Sequence, residues 1–144
     1  INLGVPVFLV LVGNAGNKYN NEIEKSLQSL DKNSYIRFPF LNREELRKIY
    51  CASDIGIWPG IPSITIIEAM SCRVGIVVPD NSVVGHLIDG NGIHEGKNID
   101  RVANYIFKIF TNKNFEKVKG RSQAIAHSLS WEKLSLNLFD IYIN

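Results

Sequence analysis

The segment from Asp54 to Pro79, "DIGIWPGIPSITIIEAMSCRVGIVVP", contains the pattern that decides the fold. Two short runs rich in β-branched residues, "DIGIW" and "GIVVP", predict strands, and the residues between them predict a helix from about Pro62 to Cys72. Two strands joined through a helix are expected to lie parallel in one sheet, because the helix returns the chain to the end at which the first strand began, and such crossovers are almost always right-handed. The segment therefore predicts a βαβ unit.

The preceding part of the chain shows the same alternation. "VPVFLVLVG", closed by Gly13, predicts a strand that is buried on both faces. "NNEIEKSLQSL" and "NREELRKIYCAS" predict helices on either side of a strand in "YIRFPF", and Asn42 with Glu45 three residues later predicts a capping box at the start of the second helix. We therefore expect an α/β fold, a Rossmann-like doubly wound parallel sheet flanked by helices, in a single domain over residues 1–144.

The part of the chain after this segment is predicted to be mostly helical. "SVVGHLIDGNG" predicts a short helix that ends in glycines. From Ile99 onward, Val102, Ile106 and Phe110 fall on one stripe of a helix, and Ser130 is the expected N-cap of a last helix, "SWEKLSLNLFDIYI".

The composition excludes several classes of protein. With 144 residues, 45% hydrophobic and 21% charged, the chain is typical of a soluble globular domain. A net charge of +2, with basic residues scattered along the chain, gives no indication of nucleic acid as a partner. The most apolar segment, Val5 to Val12, is far shorter than the roughly 20 residues that span a bilayer. Cys51 and Cys72 lie in no metal-ligand motif, so we expect no metal and two reduced structural thiols in a cytoplasmic setting.

The loop "WPGIPS", which follows the strand "DIGIW", is the first candidate site, because ligands of such folds bind at the carboxyl ends of strands. Its two prolines stiffen it, and Pro62 suits the first position of a helix. Ser63, Ile64 and Thr65 would then present backbone N–H groups at the positive end of the helix dipole. This arrangement predicts a seat for a diphosphate.

Glu68 lies one turn further along the predicted helix, and the local pattern leaves two interpretations open. Its carboxylate can accept hydrogen bonds from the two neighbouring hydroxyls of a ribose, as acidic residues do in dinucleotide sites. Alternatively, Thr65 and Glu68 in "TIIE" form a capping box and only satisfy N–H groups at the helix start.

Other candidate positions are less informative. Phe40, in the loop "FPFLN", either offers apolar surface to a nucleobase or belongs to the core. The glycines of "GNAGNK" match neither a P-loop nor the dinucleotide fingerprint, which favours a plain turn. His86, His94 and His127 are dispersed and indicate neither a catalytic nor a metal site.

The segment from Glu45 to Val78 resembles the C-terminal domain of retaining GT-B glycosyltransferases of the family 4 type. Their pattern places a helix, a strand, a paired-Glu motif and "E-A-M-A-C-G-x-P-V-V" in the order that "ELRKIYCASDIGIWPGIPSITIIEAMSCRVGIVV" shows. "FLVLVGNAG", "YIRFPFLNREEL" and "SWEKLSLNLFDIY" resemble the family's flanking segments. The resemblance implies the donor-binding, C-terminal half of a GT-B fold without its first strand-helix unit.

The resemblance also implies roles for individual residues. Glu68 matches the second Glu of the paired-Glu motif, which holds the ribose hydroxyls of the donor. Ser63 and Ile64 match the positions whose backbone N–H groups hold the diphosphate, with Thr65 next to them. Phe40 falls in the loop that meets the nucleobase. No residue of this chain is assigned a catalytic role.

The chain departs from the family pattern at several positions. Gly60, which we count among the substrate-binding positions, stands where the family has its first Glu, and Ile61 and Pro62 replace a glycine and an aromatic residue. Recognition of the hexose is therefore expected to differ or to be absent. Arg73 and Pro39 replace two further glycines of the family pattern. The family's basic residues that neutralise the leaving diphosphate are expected upstream of this chain.

The function implied by the resemblance is transfer of a sugar from a nucleoside-diphosphate-sugar to a saccharide or lipid-linked acceptor, in cell-surface polysaccharide or glycoconjugate synthesis. The partners would be the donor, the acceptor and an N-terminal acceptor domain of the same enzyme, with peripheral membrane association of the full-length protein left open. The donor is a substrate, so no cofactor is expected, and this fragment alone is expected to be inactive.

Two alternatives belong to other classes. Gly60 and Pro62 are compatible with a non-catalytic module that binds a nucleotide-sugar or a protein. A receiver or flavodoxin-like domain is disfavoured, because Asp54 lies at the start of its strand.

Overall fold

The computed structural model of the chain describes residues 4, 6–14, 16–60, 62–80, 83–95, 98–112 and 114–136. Ile61 and the end of the predicted last helix, residues 137–144, therefore lie outside the described residues. Contacts divide the described chain into a smaller unit, residues 4–46, and a larger unit that begins at residue 47.

The smaller unit is a parallel pair of strands with a crossover helix. Its elements are β1 (Leu9–Val12), α1 (Asn17–Leu27), β2 (Tyr35–Phe38) and the first part of α2 (Arg43–Ala52). The strands pair in parallel with Leu9 opposite Tyr35 and Val12 opposite Phe38. This βαβ arrangement is the one that the alternation of apolar runs predicts.

Burial of β1 is less complete than its apolar sequence predicts. Leu9 and Leu11 line a cavity together with Ile23 and Leu27 of α1, so this face of the strand is covered. Val12 remains 38% exposed. The prediction that both faces of β1 are buried is therefore wrong for the described structure. The helix α1 covers the face of Leu9 and Leu11, and burial of the opposite face would need another element packed against it.

The larger unit contains a three-stranded parallel sheet with helices packed against it. Its elements are β3 (Ile55–Ile57), α3 (Thr65–Ser71), β4 (Gly75–Val78), β5 (Gly92–His94), α4 (Ile99–Thr111) and α5 (Phe115–Ser128). Residues 131–136 are also helical. The strand order is β3, β4, β5, and both pairs are parallel. The α/β class with parallel strands and flanking helices is therefore as predicted.

The core of the larger unit is built around β4. All four residues of this strand are buried, because it has a neighbouring strand on each side. Side chains from α3, β4, α5 and the turn before β5 form one apolar cluster: Ile66, Met70, Ile76, Val78, Val84, Leu87 and Ala126. Removing this apolar surface from water is the main favourable contribution to the unit's stability.

Two predicted helix caps are confirmed. At α2, the Glu45 N–H donates to Asn42 Oδ1 and the Asn42 N–H donates to Glu45 Oε2, both at 3.0 Å. This is the reciprocal capping box that the sequence predicts. Ser130 caps the residues that follow it, because its Oγ accepts the Lys133 N–H at 3.4 Å.

The segment between β4 and β5 differs from the predicted short helix. It contains a single 3₁₀ turn at Gly85–Leu87, followed by the strand β5, which the sequence did not indicate. Asn91 is fully buried before this strand, where its Oδ1 accepts the Asp89 N–H at 2.8 Å and its Nδ2 donates to the Leu87 carbonyl at 3.0 Å. These bonds offset the cost of burying the amide and fix the turn that precedes β5.

The end of α3 is closed by a Schellman motif. The Val74 N–H donates to the Ala69 carbonyl at 3.2 Å, and the Arg73 N–H donates to the Met70 carbonyl at 2.9 Å. Arg73 adopts a φ of 68°, the left-handed conformation that this motif requires and that glycine adopts at lower cost. The left-handed backbone therefore explains why the family pattern has a glycine at this position. Arg73 adopts the same conformation at a cost in strain.

Candidate functional site

The loops at the carboxyl edge of the larger sheet contain the candidate site. Because β3, β4 and β5 run parallel, the residues after each strand lie at the same edge. Trp58 continues the pairing of β3, since its N–H donates to the Val77 carbonyl at 2.8 Å. The loop that leads from Trp58 to α3 therefore begins at the edge where this fold class binds its ligands.

The helix α3 begins at Thr65, later than the predicted start at Pro62. The Ile66 N–H donates to the Ser63 carbonyl at 3.1 Å, and the Glu68 N–H donates to the Ile64 carbonyl at 3.2 Å. The prediction of Pro62 as first helical residue is thus wrong, because the first hydrogen-bonded turn closes on the carbonyls of Ser63 and Ile64.

A hydrogen-bonded cluster of side chains surrounds Thr65. Trp58 Nε1 donates to Thr65 Oγ1 at 3.0 Å, and Thr65 Oγ1 donates to Ser63 Oγ at 2.9 Å. The Thr65 N–H also donates to Ser63 Oγ, at 3.3 Å. The expectation that the Thr65 N–H faces solvent is therefore wrong, because Ser63 caps it.

Trp58 has a double role in this cluster. Its ring packs against the core of the larger unit while its indole N–H holds Thr65. Gly56 makes this position of the ring possible, because a Cβ on Gly56 would lie 2.4 Å from Trp58 Cη2. The sequence marks Trp58 as a packing residue, and only the structure reveals its contact with the loop.

Glu68 lies in the first turn of α3 and is half-buried. The capping-box interpretation requires the Thr65 hydroxyl to accept the Glu68 N–H. Instead, that N–H donates to Ile64 and the Thr65 hydroxyl donates to Ser63. The Thr65 half of the predicted capping box is therefore not formed, and the ribose interpretation of Glu68 stays a prediction.

Ionisable groups on α2 and α3 influence one another near Glu68. Burial raises the pKa of the Tyr50 hydroxyl, its hydrogen bond with Thr65 opposes this effect, and the Glu68 carboxylate adds to the rise. Tyr50 therefore stays protonated at neutral pH and keeps its hydroxyl available for hydrogen bonding with Thr65.

The outer part of the loop is open to solvent. Ser63 is exposed, and Ile64 is 68% exposed although it is a large apolar side chain. Gly60 is also exposed, and a Cβ built on it would meet no atom within 4 Å. A side chain at position 60 would thus have room, so packing does not explain why this chain has a glycine there.

Phe40 belongs to the smaller unit, where the loops after β1 and β2 meet. The Gly13 N–H donates to the Phe38 carbonyl at 3.1 Å, and a Cβ on Gly13 would lie 3.9 Å from the Phe40 ring. Phe38 is half-buried, whereas Phe40 is 75% exposed. The sequence favours a core role for Phe38 and leaves Phe40 undecided, and the structure places the Phe40 ring on the surface beside a glycine turn.

His94 and Glu95 are polar residues at the carboxyl end of β5. No pattern in the sequence assigns either of them to a site. The His94 Nδ1 atom is buried without a hydrogen-bond partner among the described residues. Glu95 forms an ion pair with Arg101 in the first turn of α4. The strand β5 carries no apolar run, so no sequence signal places these residues at the same edge as the WPGIPS loop.

Within the described ranges, no three His, Cys, Asp or Glu side chains converge as ligands for a metal ion. No helix in the described part of the chain combines the length and the apolar character needed to cross a membrane.

The fold is similar to that of a solved glycosyltransferase, and a family model matches the sequence. Sucrose-phosphate synthase from Thermosynechococcus elongatus superposes with a TM-score of 0.75 at 18% identity, over 92% of this chain and 37% of that chain. This likeness shows a shared fold, and the chain spans little more than a third of the synthase. No curated protein sequence matches the chain. The model of "Glycosyl transferases group 1" matches residues 1–127, so the chain belongs to this family and has the fold of a GT-B C-terminal domain.

Proposed function

We propose that the chain is the donor-binding domain of a glycosyltransferase that moves a sugar from a nucleoside-diphosphate-sugar to a saccharide or lipid-linked acceptor. The family-model match over residues 1–127 is the observation that carries this proposal. The residues around α3 are proposed as contacts of the diphosphate and the ribose, and Phe40 is proposed as the contact of the nucleobase.

Ser63 is proposed as a diphosphate contact. Its Oγ accepts two hydrogen bonds from Thr65, at 2.9 and 3.3 Å, so its own hydroxyl hydrogen is left to donate to a group outside this cluster. Phosphate oxygens only accept hydrogen bonds, which makes them suitable partners. Together with the backbone of Ile64, this donor would stabilise charge on the departing diphosphate.

Glu68 is proposed to hold the donor ribose. An ionised carboxylate accepts hydrogen bonds through both oxygens, and two neighbouring ribose hydroxyls donate at the matching spacing. The position of Glu68 one turn into α3 places it close to the loop residues Ser63 and Ile64 along the chain. The same element would thus contact the ribose and the diphosphate.

Gly60 supports a second candidate, a module that binds the nucleotide without transferring a sugar. The family's paired-Glu motif has a carboxylate at this position, whereas the space beside Gly60 is open. Hexose hydroxyls would then find no acceptor at position 60. In this candidate the nucleotide alone contributes to the binding affinity, whereas in the first candidate the sugar contributes as well.

Calorimetric titration separates the two candidates. The chain is titrated with UDP, GDP and ADP and with the matching sugar nucleotides, and a protein that carries both GT-B domains is assayed for release of the diphosphate. A transferase is expected to prefer one base and to turn over its sugar nucleotide. Absence of binding to every nucleotide would overturn the proposed function, and equal affinity for each pair without turnover would favour the binding module.

Gly60→Glu is the matched variant for this experiment. The open space admits the side chain, and no left-handed φ restricts position 60 to glycine. We expect the variant to keep the affinity for the bare diphosphate and to change the affinity for the sugar nucleotide. An equal change in both would show that position 60 lies away from the sugar.

The remaining features of the whole enzyme are proposals of the same kind. An N-terminal acceptor domain would complete the active site, and the cytoplasm, which supplies nucleotide-sugars, would be its location. Synthesis of cell-surface polysaccharide or glycoconjugate would be the process that it serves. Backbone and side-chain donors would stabilise the leaving diphosphate, and we propose no cofactor. The assignment of residues 1–144 to one donor-binding domain stays a prediction.

A further inference from the structure

The turn before β5 contains the one Asn-Gly pair of the sequence, Asn91 and Gly92. An asparagine followed by glycine is chemically labile, because glycine has no Cβ to hinder its backbone nitrogen from attacking the preceding side chain. The attack closes a five-membered succinimide ring and expels ammonia. Water then opens the ring to aspartate or to isoaspartate, in which the side-chain carboxyl group becomes part of the backbone.

The folded chain holds the Asn91 amide out of this reaction. Its side chain is fully buried, with Oδ1 accepting the Asp89 N–H at 2.8 Å and Nδ2 donating to the Leu87 carbonyl at 3.0 Å. The Asn91 carbonyl accepts the Ile76 N–H at 3.1 Å, which fixes the backbone beside β4. Turning the amide onto the Gly92 nitrogen would break two side-chain hydrogen bonds and leave buried polar groups without partners.

The sheet also explains why a glycine occupies position 92. Gly92 pairs with Ile76 of β4, and a Cβ on Gly92 would overlap the Ile76 carbonyl oxygen. Because that oxygen belongs to the backbone of a buried strand, it cannot move aside, and β5 keeps its register only with glycine at this position. The residue that makes the unfolded segment reactive is therefore one that the folded sheet requires.

We propose that Asn91 is a deamidation site that the fold protects and that reacts when the β5 segment opens, with water as the co-reactant. The Gly92 nitrogen loses its proton and bonds to Asn91 Cγ, and the bond from Cγ to Nδ2 breaks as ammonia leaves. Water then adds to one carbonyl of the succinimide and cleaves one of its two ring C–N bonds. The net change is replacement of an amide by a carboxyl group, without transfer of electrons.

Neither product fits the folded turn. Aspartate would place a carboxylate oxygen where Nδ2 donates to Leu87, so two acceptors would face each other, and a charge would be buried. Isoaspartate lengthens the backbone by one carbon and displaces Ile93 and His94 from their pairing with β4. A chain that opens for long enough to react is therefore unable to regain the native state, which makes its unfolding irreversible. This consequence does not depend on the proposed function.

Peptide mapping by mass spectrometry tests the proposal. The full chain is incubated folded and in urea at the same mildly alkaline pH, and deamidation of each asparagine is followed with time. Asn33 is the matched internal control, because it precedes a serine and is exposed in the folded chain.

We expect the order of the two rates to invert, with Asn91 slower than Asn33 in the folded chain and faster than Asn33 in urea. Asn91 should react at least about tenfold more slowly in the folded chain than in urea, because the reaction requires opening of the segment. Equal rates of Asn91 in the two states, or an order that does not invert, would overturn the proposal.

Two aspartate variants test the consequence of the reaction. Asn91→Asp imitates one product and should lower the Tm by at least about 4 °C or prevent folding, because a buried hydrogen bond is lost. Asn33→Asp, at an exposed position, should leave the Tm unchanged. After removal of urea, wild-type chains that carry the modification should stay unfolded while unmodified chains refold. Modified chains that regain the wild-type Tm would contradict the inference, as would an unchanged Tm in Asn91→Asp.

Discussion

The starts of α2 and α3 share one sequence signature and use it differently. Each helix follows a strand and a proline-containing loop, and each has a polar residue three positions before a glutamate. At α2, Asn42 and Glu45 bond to each other and satisfy their own helix. At α3, Thr65 bonds to Trp58 and Ser63, and the N–H of Glu68 bonds to a backbone carbonyl.

This difference shows why a capping pattern does not by itself assign a glutamate to structure. The side chains of Asn42 and Glu45 bond to the backbone at the start of α2, so removing either of them is expected to lower the stability of the protein. At α3 the partners of the Thr65 hydroxyl are Trp58 and Ser63. We therefore expect loss of Glu45 to lower stability, whereas loss of Glu68 tests the proposed donor contact.

Exchanging the two glutamates for alanine gives the largest expected effect. Glu68→Ala should weaken nucleotide binding by about 30-fold or more, since hydrogen bonds to a charged group contribute about 1.5–3 kcal/mol. Glu45→Ala should leave the affinity unchanged and lower the Tm, and calorimetry with thermal melts reports both quantities. If Glu68→Ala binds the nucleotide as tightly as the wild type but has a lower Tm, the capping-box interpretation of Glu68 is correct.

The polar partners of the two glutamates give a smaller effect. Asn42→Ala should reduce the free energy of unfolding by about 1 kcal/mol, as loss of an N-cap does. Ser63→Ala should cost less, because the bond that Ser63 accepts from the Thr65 N–H is long, at 3.3 Å, and the Thr65 hydroxyl, which donates to Ser63 at 2.9 Å in an exposed position, can donate to water instead. Urea denaturation measures both values. An equal cost for both variants would mean that the two helix starts depend on their caps to the same degree.

Substitution at the end of α3 is expected to give the smallest effect on stability. It tests whether the strain at Arg73 affects stability independently of the start of the helix. Arg73→Gly should raise the free energy of unfolding by about 0.5 kcal/mol, because relief of about 1 kcal/mol of left-handed strain exceeds the loss of an exposed ion pair. That pair joins Arg73 to Glu116 at 2.9 Å. Glu116→Ala isolates its contribution, and a net loss of stability in Arg73→Gly would show that the pair outweighs the strain.

Local patterns predicted the order of most elements correctly. The apolar runs of β1 to β4, the Asn42 and Glu45 box and the Ser130 cap each depend on neighbours close in the sequence, which is why a single sequence reveals them. The strand β5 was missed, because three residues pairing at the sheet edge leave no periodic signal. Its pairing partner, β4, is distant in the sequence.

The residues of the candidate site stay a prediction, and their contacts could not be predicted from the sequence. Ser63, Ile64 and Glu68 follow from the family pattern, whereas the bond from Trp58 to Thr65 depends on how a ring seated over Gly56 is oriented. Tertiary packing determines such contacts, and spacing along the chain carries no trace of them.

The complete burial of β4 has a consequence for the way in which the larger unit opens. Its residues have neighbours on both edges, and Ile76, Val77 and Val78 are fully shielded from water. Amide protons in such a strand exchange with solvent only when the whole unit unfolds, whereas those of exposed loops exchange through local opening. Exposed loops of the larger unit can therefore open locally while β4 stays closed, which separates local motion from the stability of the sheet.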